Sequence, residues 1–246
     1  MLSRAQIKYI RSLTKRKFRN EYKVFIAEGE KIALEWLNSG TQIQMVITTA
    51  EWERQYHAKI ATHPEAELHI VKDSELAAIS TLQTPNYVIL VVPMPVTKNA
   101  PVKNEWYLAL DDIQDPGNMG TLIRIADWFG ISNIVCSPGS VDVYNPKVVQ
   151  SAMGGHLRVN IHEADLPVFL GKVTLPVIAA VLDGENVYNM KRLDAAVLVI
   201  GNESKGISEK VAQMATVKAT IPRKGGAESL NAGVSAGILC ALLVPC

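Results

Sequence analysis

The sequence predicts an α/β protein in two parts, a small N-terminal α/β domain followed by a larger one built on a parallel sheet. Three observations carry this reading. Short runs of β-branched and other apolar residues alternate with segments of helical periodicity along most of the 246 residues, as strands do when crossover helices bury both their faces. The alternation breaks at the proline-rich polar stretch PMPVTKNAPVKNE and then restarts, which marks a linker. Beyond it, three apolar strands each run into a glycine-bearing polar loop and then a helix, so three loops stand at strand carboxyl ends, where open parallel sheets bind ligands. The boundaries read as 1–94, a linker at 95–105, and 106–246.

Taken in order, Ile7, Ile10 and Leu13 recur at helical spacing with Lys8, Arg11, Lys15 and Arg16 between and after them. The first helix therefore packs one face and turns the other, positive, to solvent. KRKFRNEYK continues the charge into a following loop with aromatics interleaved. VFIAEG reads as a strand, EKIALEWLNSG as a helix stopped by Gly40, and IQMVITT as a second strand. A helix at 51–60, a strand at 68–71, a helix at 74–79 and the strand YVILVVPM complete the first domain. In the second, a strand at 106–110 leads through DDIQDPGNMG into the helical TLIRIADWFG, which closes on Gly130. The strand NIVCS, the loop SPGSVDVYNP and the helical KVVQSAMGG follow, then a strand at 159–161 and a helix at 166–170. PVIAAVL and AVLVIG are strands, GNESKG is a loop, and a helix starts near Ser208 with Ser208 as its N-cap. TVKATIP is the last strand, and the run from 232 to 243 is almost uncharged, as a buried helix is.

Composition bounds the function. With 48% hydrophobic residues the chain can bury a good core. No window approaches the roughly 20 apolar residues of a membrane span, and no signal-like leader is evident, so the expected location is the cytoplasm, without a membrane partner. Cys136, Cys240 and Cys246 are widely spread and read as core or terminal thiols, and the five histidines show no ligand spacing, so no metal is expected. Net charge is only +1, yet residues 1–31 hold nine Lys/Arg against three acids, a local +6 that leaves −5 elsewhere. A solvated basic helix is one account of this. The other is contact with phosphates through Arg11, Lys15, Arg16, Lys17 and Arg19.

The loops carry the candidate chemistry. In DPGNMGTLIR, Asn118 lies at a helix start and Arg124 six residues on; Arg124 is either a surface residue or a guanidinium held beside a phosphate or a reacting hydroxyl. In GNESKG, Glu203 stands among glycines that permit close backbone approach to a flat ligand. In IPRKGGAESLN, Ser229, Leu230 and Asn231 stand where the loop turns into the final helix, whose unpaired N–H groups suit ligand binding. Gly233-Val234-Ser235-Ala236-Gly237 fits the G-x-S-x-G nucleophile elbow, but no acid or histidine follows Ser235, so Ser235 reads as a small packing residue and the sequence argues against a serine hydrolase.

The ordered set NMGTLIR, IGNESKG and IPRKGGAESLNAGVSAGI resembles the three signature motifs of the SpoU/TrmH family of RNA ribose 2′-O-methyltransferases, within the SPOUT superfamily. EGEKIALEWLNSG with its basic lead resembles the substrate-binding domain often fused to them. The resemblance implies a catalytic domain with a deep trefoil knot, S-adenosylmethionine as cofactor, and a homodimer formed through that domain. It implies cofactor contacts from Gly201, Ile221 and Leu230, and a catalytic set of Asn118, Arg124, Glu203, Ser229 and Asn231. The family proposal makes Arg124 the acceptor or relay of the hydroxyl proton; since a guanidinium is almost always protonated, positioning and polarising the hydroxyl is the role that chemistry favours. The expected substrate is structured RNA, with ribosomal RNA favoured. A transfer RNA substrate, or a non-catalytic RNA-binding protein on the same fold, is the alternative. The third motif departs from the common pattern by placing Ala232-Gly233 before Val-Ser, which removes no proposed chemical group.

Overall fold

The computed structural model describes residues 2–84, 86–96 and 103–245. The chain divides into two compact units, Met1–Val96 with Asp142–Leu157, and Thr97–Val141 with Arg158–Cys246. Part of the expected linker, residues 97–102, lies outside the described residues, as does Cys246.

The first unit contains α1 (Arg4–Ser12), α2 (Arg16–Tyr22), β1 (Val24–Glu28), α3 (Glu30–Asn38), β2 (Met45–Thr49), α4 (Ala50–Ile60), β3 (Glu67–Val71), α5 (Asp73–Ile79) and β4 (Val88–Pro93). Its four-stranded sheet runs β1-β4-β2-β3, with β4 antiparallel to both neighbours and β2 parallel to β3. Side chains alternate across it as the pleat requires. Phe25, Ala27, Val46 and Leu90 join Ile32 and Trp36 of α3 in one core. Val24, Ile26, Ile47 and Val91 join Ile10, Leu13, Leu76 and Ile79 in the other.

Two features of this unit differ from the sequence reading. KRKFRNEYK forms the helix α2 rather than a loop, because the residue it buries is an arginine, which hides the apolar period: Arg19 is 1% exposed. Its guanidinium donates to Leu13 O at 2.8 Å and to the Asp142 carboxylate. Second, residues 142–157 pack with the N-terminal segment, whereas the sequence groups them with the C-terminal domain. The Tyr144 ring packs tilted against Phe25, centroids 4.8 Å apart at 32°, and Val149 enters the Phe25–Trp36 core.

The second unit begins with β5 (Tyr107–Asp111), α6 (Pro116–Trp128) and β6 (Asn133–Cys136). After α7 (Pro146–Ala152), which belongs to the first unit, come β7 (Asn160–Glu163), α8 (Leu166–Leu170), β8 (Val177–Asn186), β9 (Val197–Gly201), α9 (Glu209–Ala212), β10 (Val217–Thr220) and α10 (Ala232–Leu243). The sheet order is β10-β8-β9-β5-β6-β7 and every pairing is parallel. The strand order reverses between β5 and β9, which makes that junction the switch point where such sheets hold ligands. Tyr107, Ala109, Val197 and Val199 pack against Leu166, Phe169 and Val211 on one face.

α6 and α10 lie against each other, and two glycines set how closely. A Cβ at Gly233 would stand 2.7 Å from the Thr121 methyl, and one at Gly237 3.8 Å from Ile125 Cδ1. The buried thiols of Cys136 and Cys240 are pushed up to about 12 by desolvation, so they stay protonated and pack as small apolar groups. No helix among the described residues is long and apolar enough to cross a membrane.

Candidate active site

The site is built from the loops that follow β5, β9 and β10. After β5 the chain takes a left-handed turn at Asp112, φ 58°, a conformation that costs free energy in a non-glycine residue and needs outside support. Ser137 Oγ accepts from Asp112 N at 2.8 Å, and Asn202 Nδ2 donates to Asp112 O at 2.7 Å. The loop then enters α6 with Asp115 as N-cap, accepting from Asn118 N at 2.8 Å, and Pro116 in the first turn, where its missing N–H costs nothing.

After β9, Asn202 Oδ1 accepts from the backbone of Ser204 and Lys205 at 2.9 and 3.0 Å, an Asx turn that holds Glu203 outward. Asn202 also bridges back to Gly206. At Gly201 a Cβ would stand 2.3 Å from Gly206 C and Ile207 N, so only glycine lets the loop fold back this closely. Ser208 holds the N-cap position of α9, but its side chain makes no cap bond; its N–H donates instead to the buried carboxylate of Asp111 at 2.7 Å.

After β10 the chain reaches α10 through Ser229, Leu230 and Asn231. Asn231 Oδ1 caps the helix, accepting from Gly233 N at 2.9 Å and Val234 N at 3.2 Å. Its Nδ2 donates to Asn118 Oδ1 at 2.7 Å, and Asn118 Nδ2 donates to Glu203 Oε1 at 2.8 Å. One hydrogen-bonded chain therefore runs from the N-terminus of α10 through two amides to a carboxylate. Because each amide has a partner at both ends, the orientation of both is fixed. Gln114 N and Asp115 N also point at Glu203, at 3.5 and 3.4 Å.

The structure thus brings Asn118, Glu203 and Asn231 together. Ser229 is exposed and lines the adjoining cleft. Arg124 is not in the chain: it lies six residues along α6 from Asn118, or roughly 9 Å along the axis. Its guanidinium is exposed, with no hydrogen bond or ion pair among the described residues. Arg124 shares a face of α6 with Trp128, one turn on and 81% exposed.

The cleft holds about 960 Å³, and Gly201, Ile221, Leu230 and Glu203 all line it. Its wall opens where the β8–β10 pairing jumps from Lys218↔Ala179 to Ala219↔Glu185, so that Ala180, Val181 and Leu182 leave the ladder and face the cavity. Ile200, Ile207 and Leu239 add apolar surface. Ser235 lies on the first turns of α10, its N–H bonded to Asn231 O at 2.9 Å, not at a strand-to-helix elbow. The sequence reading missed Asp111, Asp112 and Asn202, which brace the loops. Asn202 left a trace, an asparagine opening a glycine-closed turn.

The model of the SpoU rRNA Methylase family matches residues 105–241, the stretch that holds all three loops. The chain belongs to this family. A second model, the MRM3-like substrate binding domain, matches residues 4–90. Among curated relatives of this SpoU chain, the Bacillus subtilis 23S rRNA (guanosine(2553)-2′-O)-methyltransferase RlmP is 27% identical over 240 residues, covering 95% of this chain and 94% of its own length. A TrmH-family protein from Porphyromonas gingivalis superposes with a TM-score of 0.85 at 37% identity, covering 99% of this chain and 98% of its own. An AdoMet-bound rRNA methyltransferase from Sinorhizobium meliloti superposes equally well, TM-score 0.85 at 29% identity, covering 98% and 94%.

In the first unit, Arg11, Lys15, Arg16 and Lys17 are exposed, as phosphate contacts must be. Arg19 is a correction. The sequence reading groups it with these four, but it is buried and ion-paired to Asp142, so its charge is already neutralised and no phosphate can reach it.

Proposed function

We propose that this chain is an S-adenosylmethionine-dependent RNA methyltransferase that acts on a ribose 2′-hydroxyl of ribosomal RNA. The observation that carries the reading is the Glu203–Asn118–Asn231 chain at the mouth of an apolar cleft folded tightly around Gly201. The curated relative named above acts on ribosomal RNA at a 2′-O position, and the AdoMet-bound neighbour matches along the whole chain.

The residues suit the cofactor. A purine is flat and apolar on its faces, and Ile200, Ile207, Ile221, Leu230 and Leu239 supply apolar walls while the loop closed at Gly201 leaves room for backbone contact. When bound, S-adenosylmethionine supplies an electrophilic methyl group. The chain's own residues must then place a weakly nucleophilic hydroxyl in line with it and assist loss of its proton. Asn118 and Asn231 each keep one amide hydrogen outside the Glu203 chain, and these fix the ribose. Ser229, in the same loop, adds a hydroxyl that accepts or donates. Arg124, fully charged, polarises the hydroxyl and holds the neighbouring phosphate.

Three finer readings belong with this one. The catalytic unit forms a trefoil knot, supported by the return of α10 to the β8–β9 connection, where Leu193 N donates to Leu243 O at 3.1 Å. Such threading is a rare exception to chain topology. The protein works as a homodimer through this unit, supported by the exposed Trp128 beside Arg124. It works in the cytoplasm, where ribosomal RNA is met.

The test is transfer of a labelled methyl group from S-adenosylmethionine to ribosomal RNA from cells lacking this protein, with the site mapped as ribose methylation. Arg124→Ala is expected to abolish transfer while isothermal titration gives a cofactor affinity within a few-fold of wild type. Full activity in that variant would remove Arg124 from the mechanism. No cofactor binding by the folded wild-type protein would overturn the enzyme reading.

A further inference from the structure

The face of α2 presents an arrangement that the methyl-transfer site does not use. Phe18 and Tyr22 follow each other one turn apart, their rings nearly parallel at 13° with centroids 6.2 Å apart. At that separation stacked rings are offset, so each leaves part of its face uncovered by the other. Tyr22 is 43% exposed. Tyr9 of α1 meets it edge-on, centroids 5.1 Å apart at 66°, and is itself partly buried. The Lys17 ammonium stands 5.9 Å from the Phe18 ring centre.

The support under this surface is rigid. Arg19, about a quarter turn around α2 from the two rings, is buried and bonded to Leu13 O and the Asp142 carboxylate, which pins the helix that carries both rings. A preorganised aromatic plane loses little entropy when a flat ligand covers it. The charge around it selects the ligand. From residue 1 to 27 the sequence has eight Lys/Arg and one acid, Glu21, a strong positive excess even with Arg19 neutralised by Asp142.

We propose that Phe18 and Tyr22, buttressed by Tyr9 and edged by Lys17, form a stacking platform for an unpaired base of the RNA substrate. The proposal rests on the RNA reading above and deepens it by naming what the first unit grips: a single-stranded nucleotide, its base on Tyr22 and its phosphate at Lys17. Base–aromatic stacking tolerates any base, because every base has a π face. The platform therefore selects for unpaired structure, and specificity for one position comes from elsewhere.

The probe is a fluorescein-labelled poly(U) oligonucleotide, compared with a blunt RNA duplex of equal length, and binding is read by anisotropy across a salt series with the full-length protein. Tyr22→Ala is expected to weaken poly(U) binding by about tenfold, within the range measured for loss of one stacked base, and to leave the duplex affinity and the salt slope unchanged. Tyr22→Trp is expected to keep wild-type affinity. Replacing Lys15, Arg16 and Lys17 by glutamine lowers the salt slope instead, by roughly 0.7 for each single-strand phosphate that is no longer neutralised. Iodouridine in the probe is expected to photo-crosslink to Tyr22.

Equal weakening on duplex and poly(U) would overturn the platform and leave a merely structural tyrosine. Wild-type binding of ribosomal RNA with no effect of Tyr22→Ala would sink the platform and leave the RNA reading intact. Loss of ribosome association with unchanged RNA affinity would reassign the surface to a protein and overturn the proposal. A wild-type protein that binds neither probe nor ribosomal RNA would remove both readings. Thermal unfolding of each variant separates all of these from loss of fold.

Discussion

Asn231 has two tasks that one pair of substitutions separates. Its Oδ1 caps α10 through two backbone N–H groups, and its Nδ2 fixes Asn118, which fixes Glu203. Asn231→Ala removes both. Loss of the cap costs about 1 kcal/mol, which for a chain of this size lowers Tm by about 2–4 °C. Asn231→Asp keeps the cap, and its charge at a helix N-terminus is favourable by about 0.3–1 kcal/mol. It nevertheless puts an acceptor where a donor stood 2.7 Å from Asn118 Oδ1. If Asn118 flips to answer it, its own oxygen then faces Glu203 Oε1 across 2.8 Å. Either way one bond of the chain becomes an acceptor–acceptor contact, and no rotation repairs both ends. Losing a preorganised donor at a reacting centre costs about 10²–10³ in rate. The assay is single-turnover methyl transfer to unmethylated ribosomal RNA, run beside calorimetry. The expected result is a Tm at or above wild type for Asn231→Asp with a rate down by about 100-fold, and both lowered for Asn231→Ala. A wild-type rate in Asn231→Asp would refute the argument that this chain sets the catalytic geometry.

Three further predictions concern other parts of the molecule. Gly201→Ala sets a methyl against backbone at 2.3 Å, so the 201–207 loop must open; cofactor affinity by isothermal titration is expected to fall by at least about tenfold, and an unchanged affinity would place the cofactor elsewhere. Asp142→Asn leaves the buried Arg19 unpaired, with side-chain exposures of 2% and 12%, and is expected to lower urea stability by about 3–5 kcal/mol; a change too small to resolve would mean that water reaches the pair in solution. Burial holds His156 down from 6.5 to about 4, so the folded protein resists a proton that the unfolded chain accepts. Its stabilising contribution is present above pH 6.5 and is lost as pH falls through that interval toward 4. Urea midpoints across this range should fall less steeply in His156→Leu than in wild type, and parallel profiles would show that another group titrates there.

Much of this was legible because it depends on local order along the chain. Each β-branched run became a strand, and the glycine-bearing loops fell after β5, β9 and β10, since alternation and turn chemistry are properties of neighbouring residues. Asn118, Glu203, Ser229 and Asn231 stand at fixed spacing in the motifs, and folding joins three of them in one hydrogen-bonded chain with Ser229 on the adjoining cleft. Arg19 was misread from the same local order. A cation inside a basic run is indistinguishable from its neighbours until its partner is known, and Asp142 lies 123 residues away.

By itself, then, the sequence determined the α/β class, the parallel sheet of the second unit, the three loops and the groups they carry, because backbone propensity and periodicity act over a few residues. Only the tertiary structure decided that residues 142–157 complete the first unit's core, that Arg19 is structural, and that Asn118, Glu203 and Asn231 form one hydrogen-bonded chain while Arg124 stands apart from it. Those outcomes depend on which distant side chains meet, and a hydrogen bond or ion pair forms only when folding brings its two ends within about 3 Å of each other.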